Sequence, residues 1–574
     1  MIGAKTQEAA PHLGCGDEVH KVPRSLRVVG ARAFAPLVLL LLCLAVFLPG
    51  QMSVPPLDRD EPRFTQATKQ MVQSGDYVNI KFLDERRNKK PVGIYWLQAG
   101  MTKLTGYGAE APIWVYRLVS VLGATLAVLF TYWACMAFMS SPAAFTSAAF
   151  VALTFILTTE SRLAKTDAML LATVVLAQGA LARIWLARTK DTFSRWVYPL
   201  VFWMALGAGT LIKGPIILMV SGFTVAGLCL FKREVAWLRH LRPILGLLLL
   251  LAIVLPWLVA IYIATDGGFF ADSIGRDMLG KVATGQESHG APPLTHLAAS
   301  LVLFWPLSAF LLLGFPGIWR ERKTDAIVFA ASWLVPTWIV FELVSTKLPH
   351  YTMPALPAVA LAVCFVLIHK LELPKRAGLY WAATLLLALV PVLVAVGSVA
   401  LPIFVNAWPS PPGVIIAVIG ALFGLIAARE MKRRHVFNAF WPAAASSIFM
   451  LFGFWAFVGP ALEPIWLSPR LVTQIEAATS CEKPQVITVG FNEPSYVFLL
   501  NSDITLGNAS AAAEFLNDDA GDGCRVATVE SKYAVQFEDA ARHLGVKLEK
   551  AGAVSGLNIN GGDQLTIGVY VNGG

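Results

Sequence analysis

The densest group of charged residues in this chain directly follows its first apolar segment. The stretch LDRDEPRFTQATKQ, which begins at Leu57, places five charged side chains within six positions: Asp58, Arg59, Asp60, Glu61 and Arg63. A carboxylate can move a proton, and a cationic side chain can hold a phosphate. A cluster of this composition at the mouth of a membrane segment is expected to face a site.

Further side chains that could take part in binding or catalysis lie in short connections between apolar segments. They are Lys89, Lys90, Arg162, Lys165, Asp167, Lys213, Lys347, His350 and Tyr351. Each one alone fits a solvated loop charge as well as a site. Ionisable groups near membrane depth are costly and usually face a cavity, so their shared position near helix ends on one side favours a site. Several lysines beside carboxylates would suit a lipid phosphate that carries a sugar. Metal-ligand spacing is absent from the sequence.

The composition excludes a soluble protein. Of the 574 residues, 56% are hydrophobic and only 14% are charged, which predicts an α-helical polytopic membrane protein. Apolar segments of spanning length predict about thirteen transmembrane helices. Their ranges are 34–49, 113–136, 142–158, 168–187, 197–212, 215–231, 243–264, 296–319, 326–344, 353–369, 378–401, 412–428 and 437–458. No small-x-small cleavage site closely follows the first segment, so an uncleaved helix is preferred to a cleaved signal peptide.

The loop charges predict the orientation. The basic stretches RTKDTFSR, KREVAWLRHLR, RERKTD, KLELPKR and REMKRRH fall on the same side as the basic amino terminus. Short loops rich in lysine and arginine stay cytoplasmic, so residues 1–33 are expected inside. The transmembrane domain is expected over 34–464, with a large outer loop at 51–112, and an outer domain over 465–574. The net charge of +9 reflects this bias rather than nucleic-acid binding.

The two outer pieces have distinct patterns. In the first loop, DEPRFTQATKQMVQSGD and VGIYWLQAGMTKL predict amphipathic helices that lie in the membrane interface. In the tail, PQVITVGF, CRVATVE and QLTIGVYV predict strands, while ASAAAEFLND and YAVQFEDAARHLG predict helices. The tail has no Gly-rich phosphate motif, so packing over the membrane site is its expected role. A disulfide between Cys481 and Cys524 is preferred to two free thiols, because an outer domain lies in an oxidising compartment.

Two classes of function fit these features. One is an enzyme that uses a lipid-phosphate donor, and the other is a transporter of an anionic solute. A transporter is expected to show internal repeats with broken helices in matching positions. The sequence shows no such repeat, and the charged first loop belongs to one end only. The enzyme is therefore favoured.

Six motifs carry a resemblance that spans essentially the whole membrane part. They are DRDEPRFTQATKQMVQSGDY, NKKPVGIYWLQ, LIKGPIIL, VLPWLVAI, SHGAPP and TKLPHYTMP. In this order they resemble the motifs of bacterial aminoarabinose lipid A transferases and related GT-C glycosyltransferases, which use a polyprenyl-phosphate sugar. The resemblance implies thirteen helices with a periplasmic carboxyl-terminal α/β domain.

The resemblance also implies roles for individual residues. Asp60 and Asp167 match the acidic pair of the site, Arg63 the arginine of the first motif, and Lys213 the lysine of a TKG motif. Lys90 and Tyr351 match positions that hold the carrier phosphate. Counting back from His289, Lys281 replaces a further phosphate-binding arginine, and Arg276 becomes the candidate if that register is wrong. Glu61, Arg162, Lys165, Lys347 and His350 are kept as further candidates.

Two departures bear on cofactors and on the sugar. Lys89 and Met278 stand where the family has a glutamate and a histidine that can bind a metal, and neither replacement suits a metal ion. We therefore predict no metal and leave the sugar open. The predicted activity is inverting transfer of aminoarabinose or a related sugar from a polyprenyl phosphate to lipid A or another envelope acceptor. It is expected in a bacterial inner membrane, in a monomer surrounded by membrane lipids, with protein O-glycosylation as the alternative.

Overall fold

Helices form most of the described part of the chain before residue 466. The computed structural model describes residues 24–57, 60–186, 194–273, 275, 280, 291–500, 504–518 and 524–573. Its helices before the tail are α1 (Arg24–Val29), α2 (Ala35–Phe47), α3 (Asp60–Ser74), α4 (Gly93–Leu104), α5 (Ile113–Cys135), α6 (Ser141–Leu153), α7 (Phe155–Glu160), α8 (Asp167–Trp185), α9 (Ser194–Lys213), α10 (Ile216–Lys232), α11 (Pro243–Thr265), α12 (Gly268–Phe270), α13 (Thr295–Leu303), α14 (Leu307–Arg320), α15 (Asp325–Leu343), α16 (Leu356–Cys364), α17 (Ala377–Phe404), α18 (Pro411–Lys432) and α19 (Val436–Gly453).

The membrane part confirms the predicted fold class. Within the described residues, nine helices are long and apolar enough to cross a membrane, and they are α5, α8, α9, α11, α15, Pro349–His369, α17, α18 and Val436–Val458. The pair α13 and α14 would make a tenth span, although it bends by 115°. Three further apolar helices, α2, α6 and α10, are shorter. The chain is a polytopic helical membrane protein, and the count of thirteen crossings stays a prediction.

Burial distinguishes the central helix from the lipid-facing ones. In the apolar 18-residue stretch of α8, 89% is buried inside the protein, whereas the corresponding share for α11 is 28%. The exposed leucines and isoleucines of α11 therefore suit contact with lipid tails. Helix α5 approaches α8 closely at Gly123, where an added Cβ would lie 2.7 Å from the backbone nitrogen of Met169. The amino-terminal end of α8 is thereby held beside α5, directly beneath the first loop.

The first loop is built on the two predicted amphipathic helices. In α3, Phe64, Ala67 and Met71 are buried on one face, as their spacing predicts. The hydroxyl of Thr68 donates to Gln98 Oε1 of α4 at 2.8 Å. The Gln98 amide in turn donates to the carbonyl of Ala164 at 2.8 Å. This chain of bonds fixes both loop helices to the connection that leads into α8.

The tail folds around a five-stranded sheet of order β4-β3-β5-β7-β6. Its strands are β3 (Gln485–Val489), β4 (Ile504–Leu506), β5 (Arg525–Glu530), β6 (Leu548–Leu557) and β7 (Gln564–Asn572), after a small first-loop hairpin of β1 (Lys81–Phe82) and β2 (Glu85–Arg86). Its helices are α20 (Leu467–Ala478), α21 (Pro494–Leu500), α22 (Ala509–Asn517) and α23 (Ala534–Leu544). Strand β3 is parallel to β4 and β5, whereas β7 is antiparallel to β5 and β6.

The predicted α/β tail is confirmed, with elements that the sequence analysis did not anticipate. All three predicted strands and both predicted helices are present. Helices α20 and α21 and strands β4 and β6 were not predicted; β4 is very short, and β6 is largely exposed. The predicted disulfide is confirmed: Cys481 and Cys524 are bonded, with their Cα atoms 5.6 Å apart. The bond links the segments that lead into β3 and β5.

Helix α21 docks the tail onto the membrane part. Phe498 is 5% exposed and packs with Ala111, Ile113, Tyr116 and Ala164. Its ring meets that of Tyr116 edge-on at 5.8 Å, a favourable aromatic geometry. Because these contacts come from the first loop, from α5 and from the connection before α8, the tail is fixed above all three.

Candidate active site

The base of α3 is anchored by a buried ion pair. Glu61 and Arg117 are both fully buried, and the guanidinium donates to the two carboxylate oxygens at 2.7 and 2.8 Å. Glu61 also accepts from the backbone nitrogens of Leu57 at 2.6 Å and Ala164 at 2.9 Å. Arg117 donates further to three carbonyls of residues 51–55. Every charged atom of the pair is satisfied, so Glu61 positions the helix that carries Asp60.

Asp60 is the first residue of α3 and lies beside a cationic group. Its Oδ1 is 3.8 Å from Arg87 Nη2; the Asp60 side chain is 48% exposed and that of Arg87 is 7% exposed. Burial alone would raise the pKa of Asp60, but the positive charges of Arg87, Lys165, Lys90 and Arg63 lower it below its ordinary value. Asp60 is therefore held as a carboxylate at neutral pH.

Behind Asp60 lies a buried network of ionisable groups. Asp167, at the start of α8, contacts the ammonium of Lys213 at the end of α9. Lys165 Nζ lies 3.3 Å from Glu160 Oε1. The His350 ring lies between the two acids, 3.6 Å from Glu160 and 3.7 Å from Asp167. All five side chains are at most 12% exposed. Because the charge of Lys165 also acts on Asp60, the network reaches the front of the site.

The network suits ion pairing better than metal binding. Ligand atoms of Glu160, Asp167 and His350 lie within 4.8 Å of one another. Lys165 and Lys213 already neutralise the two carboxylates, so a divalent ion would have to displace an ammonium group. At the metal position suggested by the family resemblance, Lys89 offers a cation in place of a carboxylate. We therefore assign Glu160, Asp167 and His350 to an ion-pair network and assign no metal to them.

Two predicted candidates have structural contacts instead. The Arg162 guanidinium donates to the carbonyls of Pro49, Val46 and Thr158 at 2.8, 2.6 and 2.5 Å. It thereby ties the connection before α8 to the end of α2. The Lys347 ammonium donates to the Glu342 carbonyl at 2.7 Å and to that of Val344, which caps the end of α15. The charges of both side chains are used in fixing backbone segments.

The remaining predicted residues lie at the front of the site or outside the described residues. Arg63 is one turn along α3 from Asp60, and Lys90 is close enough for its charge to act on Asp60. Tyr351 packs against His350 and Phe341 with ring centroids 5.2 and 5.6 Å away. Lys281, Arg276, Met278 and His289 lie outside the described residues.

Three side chains that form ion pairs in the site were not among the residues predicted from the sequence. Arg87 pairs with Asp60, Arg117 with Glu61, and Glu160 with Lys165. Arg87 lies in the basic stretch DERRNKK, which also contains the candidates Lys89 and Lys90. Glu160 lies in TESRLAKTD, which also contains the candidates Arg162, Lys165 and Asp167. Charge within a motif was the available signal, while the pairing partners come from distant parts of the chain.

Comparison with solved structures identifies the fold. Over 93% of this chain and 97% of its own, apo ArnT from Cupriavidus metallidurans superimposes with a TM-score of 0.71 at 15% sequence identity. The same protein bound to undecaprenyl phosphate gives 0.70 at 16% identity, over 94% of this chain and 98% of its own. The chain has the fold of ArnT. This ArnT fold includes the tail, because the match extends over nearly the whole chain.

Sequence comparisons support the resemblance over a shorter range. The profile of the dolichyl-phosphate-mannose-protein mannosyltransferase family matches residues 89–259. The undecaprenyl phosphate-alpha-4-amino-4-deoxy-L-arabinose arabinosyl transferase of Pseudomonas aeruginosa strain UCBPP-PA14 is 27% identical over 332 residues, which are 56% of this chain and 57% of that protein. The enzyme of the same name from Pectobacterium atrosepticum is 25% identical over 307 residues, 53% of each chain. The matches cover little more than half of the relatives' length. The likeness to aminoarabinose transferases expected from the motifs is confirmed.

Proposed function

We propose that the chain is an inner-membrane glycosyltransferase of a bacterial envelope. It transfers aminoarabinose or a related sugar from undecaprenyl phosphate, or a similar polyprenyl phosphate, to lipid A or another envelope acceptor. The observation that carries this proposal is the convergence of Asp60 with Lys90, Lys165 and the Asp167–Lys213 pair where the first loop meets the membrane helices. The ArnT fold and the named relatives support the donor class.

The proposed mechanism is a single displacement with inversion at the sugar carbon. Asp60 accepts the proton of an acceptor hydroxyl or orients the sugar, and Arg63 and Arg87 keep it ionised. The carrier phosphate leaves as an anion, and preorganised cations stabilise that developing charge. Lys90, Lys281, Tyr351 and Lys213 are the proposed phosphate ligands. Asp167 holds the Lys213 ammonium in place, so this acid positions a phosphate ligand.

The proposed orientation places the amino terminus in the cytoplasm and the tail in the periplasm. Two observations support it. The basic loops gather on one side of the predicted spans, and the tail has a disulfide of the kind that persists in oxidising compartments. The active site would then lie at the periplasmic surface, where lipid-linked sugars and envelope acceptors meet. A protein acceptor, which the matching family's description names, is a separate arm of the test below.

Replacing Asp60 by asparagine tests the proposal. Asp60→Asn keeps the shape of the side chain and its capacity to cap a helix but removes the charge. We expect transfer to fall by roughly 10²–10⁴-fold while undecaprenyl phosphate still binds. The measurement is mass spectrometry of lipid A, total glycans and envelope proteins after reaction with purified enzyme and donor.

The matched control is Asp84→Asn, which makes the same change at an exposed position of the same loop and should leave transfer unchanged. Near-normal turnover of Asp60→Asn would reject its catalytic role. If the wild-type enzyme modified none of the three acceptor classes, the glycosyltransferase proposal itself would be rejected.

A further inference from the structure

A cavity of about 460 Å³ lies between the first loop and the tail. Its lining residues are Arg63, Phe82, Glu85, Arg86, Arg87, Asn88, Lys89, Asp272, Asn492 and Pro494. The volume is within the range of small-ligand sites. Arg87 connects this cavity to the candidate active site, because its guanidinium also lies 3.8 Å from Asp60. Arg63, one turn from Asp60, lines the same wall. The cavity therefore opens beside the carboxylate that would act on an acceptor.

The tail contributes Asn492 to this cavity from a rigid loop. Gly490 has φ of +90°, and an added Cβ would lie 2.5 Å from Glu530 Oε2, so glycine is required there. Phe491 is 3% exposed in the tail core. The Glu493 carboxylate accepts from the side-chain amides of Asn558 at 3.3 Å and Asn560 at 2.8 Å. Asn492 lies between these anchored neighbours, is exposed, and lines the cavity.

The lining has the chemistry of a site for a charged sugar. Four cationic side chains face two carboxylates, which leaves an excess of positive charge. The amides of Asn88 and Asn492 each offer donors and an acceptor, which suits hydroxyl groups. Phe82 supplies an aromatic surface, and Asn88 is already oriented by its 3.1 Å bond to Asp272. A phosphate alone would need no aromatic surface and no second amide.

We propose that this cavity binds the anionic sugar headgroup of the acceptor and that Asn492 of the tail contacts it directly. The inference rests on the proposed glycosyltransferase activity and assigns the acceptor side of that site. It makes the tail a part of the substrate site. The tail would then determine which acceptor is used, while the membrane part binds the donor.

Two variants of Asn492 test this assignment. Asn492→Ala removes the amide, and Asn492→Asp keeps the shape but places a negative charge in the cavity. We expect Asn492→Ala to raise the KM for the acceptor about tenfold and Asn492→Asp to raise it further, with kcat and donor KM within about twofold of wild type. The probe is purified lipid A carrying its phosphates, assayed beside dephosphorylated lipid A with a lipid-linked aminoarabinose donor. Asn517→Ala, an exposed tail position outside the cavity lining, is the control.

The outcomes separate this inference from the proposed function. An unchanged acceptor KM in both Asn492 variants of an active enzyme would overturn the contact. An equal rise in donor and acceptor KM, or a lowered unfolding temperature, would mean that Asn492 supports the fold instead. If the acceptor KM were lower for Asn492→Asp than for Asn492→Ala, the proposal that the acceptor headgroup is anionic would be overturned. A wild-type enzyme that releases no undecaprenyl phosphate from the donor with either lipid A would reject both this inference and transfer to lipid A.

Discussion

Asp60 lies half exposed at the start of α3, and its ionisation depends on cations from other segments. Arg87 comes from the first loop, and its guanidinium also stacks 4.9 Å from the ring centre of Phe64. The lowered pKa of Asp60 means that its carboxylate contributes to stability at neutral pH and loses that contribution as the pH falls through the lowered value. The same carboxylate is the proposed base, so activity should follow its protonation.

Replacing Arg87 by methionine should shift the pH dependence of transfer. Arg87→Met removes the cation that lowers the pKa of Asp60 most strongly, so this pKa should rise towards its ordinary value. The acid limb of the pH–rate profile should therefore move to higher pH, with the rate recovering when the pH is raised. The measurement is kcat/KM against pH for wild type and variant.

Arg86→Met is the control for this shift. Arg86 is exposed and donates to the Ala264 carbonyl at 3.3 Å, and it is absent from the charges that lower the pKa of Asp60. The acid limb of its profile should stay at the wild-type pH, even though loss of this cavity-lining arginine lowers the height of the profile. If Arg87→Met left the acid limb in place, or if wild type had no acid limb, Asp60 would be assigned to orienting the sugar.

The individual residues of the site could be predicted only in part. Asp60, Lys165, Asp167, Lys213 and His350 were expected from their motifs, and the structure brings them near one another. Arg162 and Lys347 belong to the same motifs, yet their side chains bond to backbone carbonyls. A sequence shows that a charge is present near a helix end but not which way the side chain turns, because that depends on acceptors far along the chain.

Among the elements, α3 is anchored at its first turn by one buried ion pair. The Glu61–Arg117 pair joins it to α5, to the chain before it and to the connection before α8. Charges this deeply buried are stable only while every partner is present, because desolvation is costly. The helix that carries Asp60 is thus positioned electrostatically at its first turn and by apolar packing along its length.

Breaking this pair should destabilise the protein strongly. Arg117→Met leaves the Glu61 carboxylate buried without its cation, and we expect a loss of roughly 3–5 kcal/mol in the free energy of unfolding. Denaturant titration of the purified protein in detergent measures it. Arg320→Met removes an arginine whose side chain is 60% exposed and 3.3 Å from Glu372, and it should cost less than about 1 kcal/mol. Similar losses in the two variants would contradict the anchoring role of Arg117.

The type of most elements followed from the sequence, but their breaks did not. Long apolar runs and the 3.6-residue periodicity located the spans and both loop helices. The segment 296–319, however, forms two helices that meet at 115°. Residues 142–158 are also divided at Thr154. An apolar pattern indicates burial in lipid or protein, whereas bends are set by neighbouring helices. The docking helix α21 is only seven residues long, which is too short for a helical periodicity to be recognised in the sequence.

At the scale of the whole molecule, the disulfide encloses the part of the tail that reaches the site. Cys481 and Cys524 are separated by 43 positions, and between them lie β3, Asn492, α21 and its buried Phe498. Restricting a loop of this length in the unfolded chain is worth about 4 kcal/mol. The bond therefore stabilises both the docking helix and the cavity wall.

Removing the disulfide should weaken the tail without changing the site's chemistry. The double variant Cys481→Ala, Cys524→Ala should lose about 4 kcal/mol of tail stability, seen as proteolysis of the tail at a lower temperature on heating.

Alkylation tests the disulfide itself. The denatured wild-type protein should have two more labelled cysteines after reduction than before it. Equal labelling under the two conditions would show free thiols. Cys229→Ala, which removes a thiol outside the tail, should alter neither result.

The contacts of α3 and α21 determine when the site can exist during synthesis. Asp60 is made early, but the helix beneath it is anchored only after Arg117 has been added. The cavity beside it gains its last wall when Asn492 emerges and Phe498 reaches Tyr116. A ribosome must therefore complete almost nine-tenths of the 574 residues before this cavity has all of its lining residues. Chains released before that point would lack Asn492 and Pro494 and so could not form the proposed acceptor cavity.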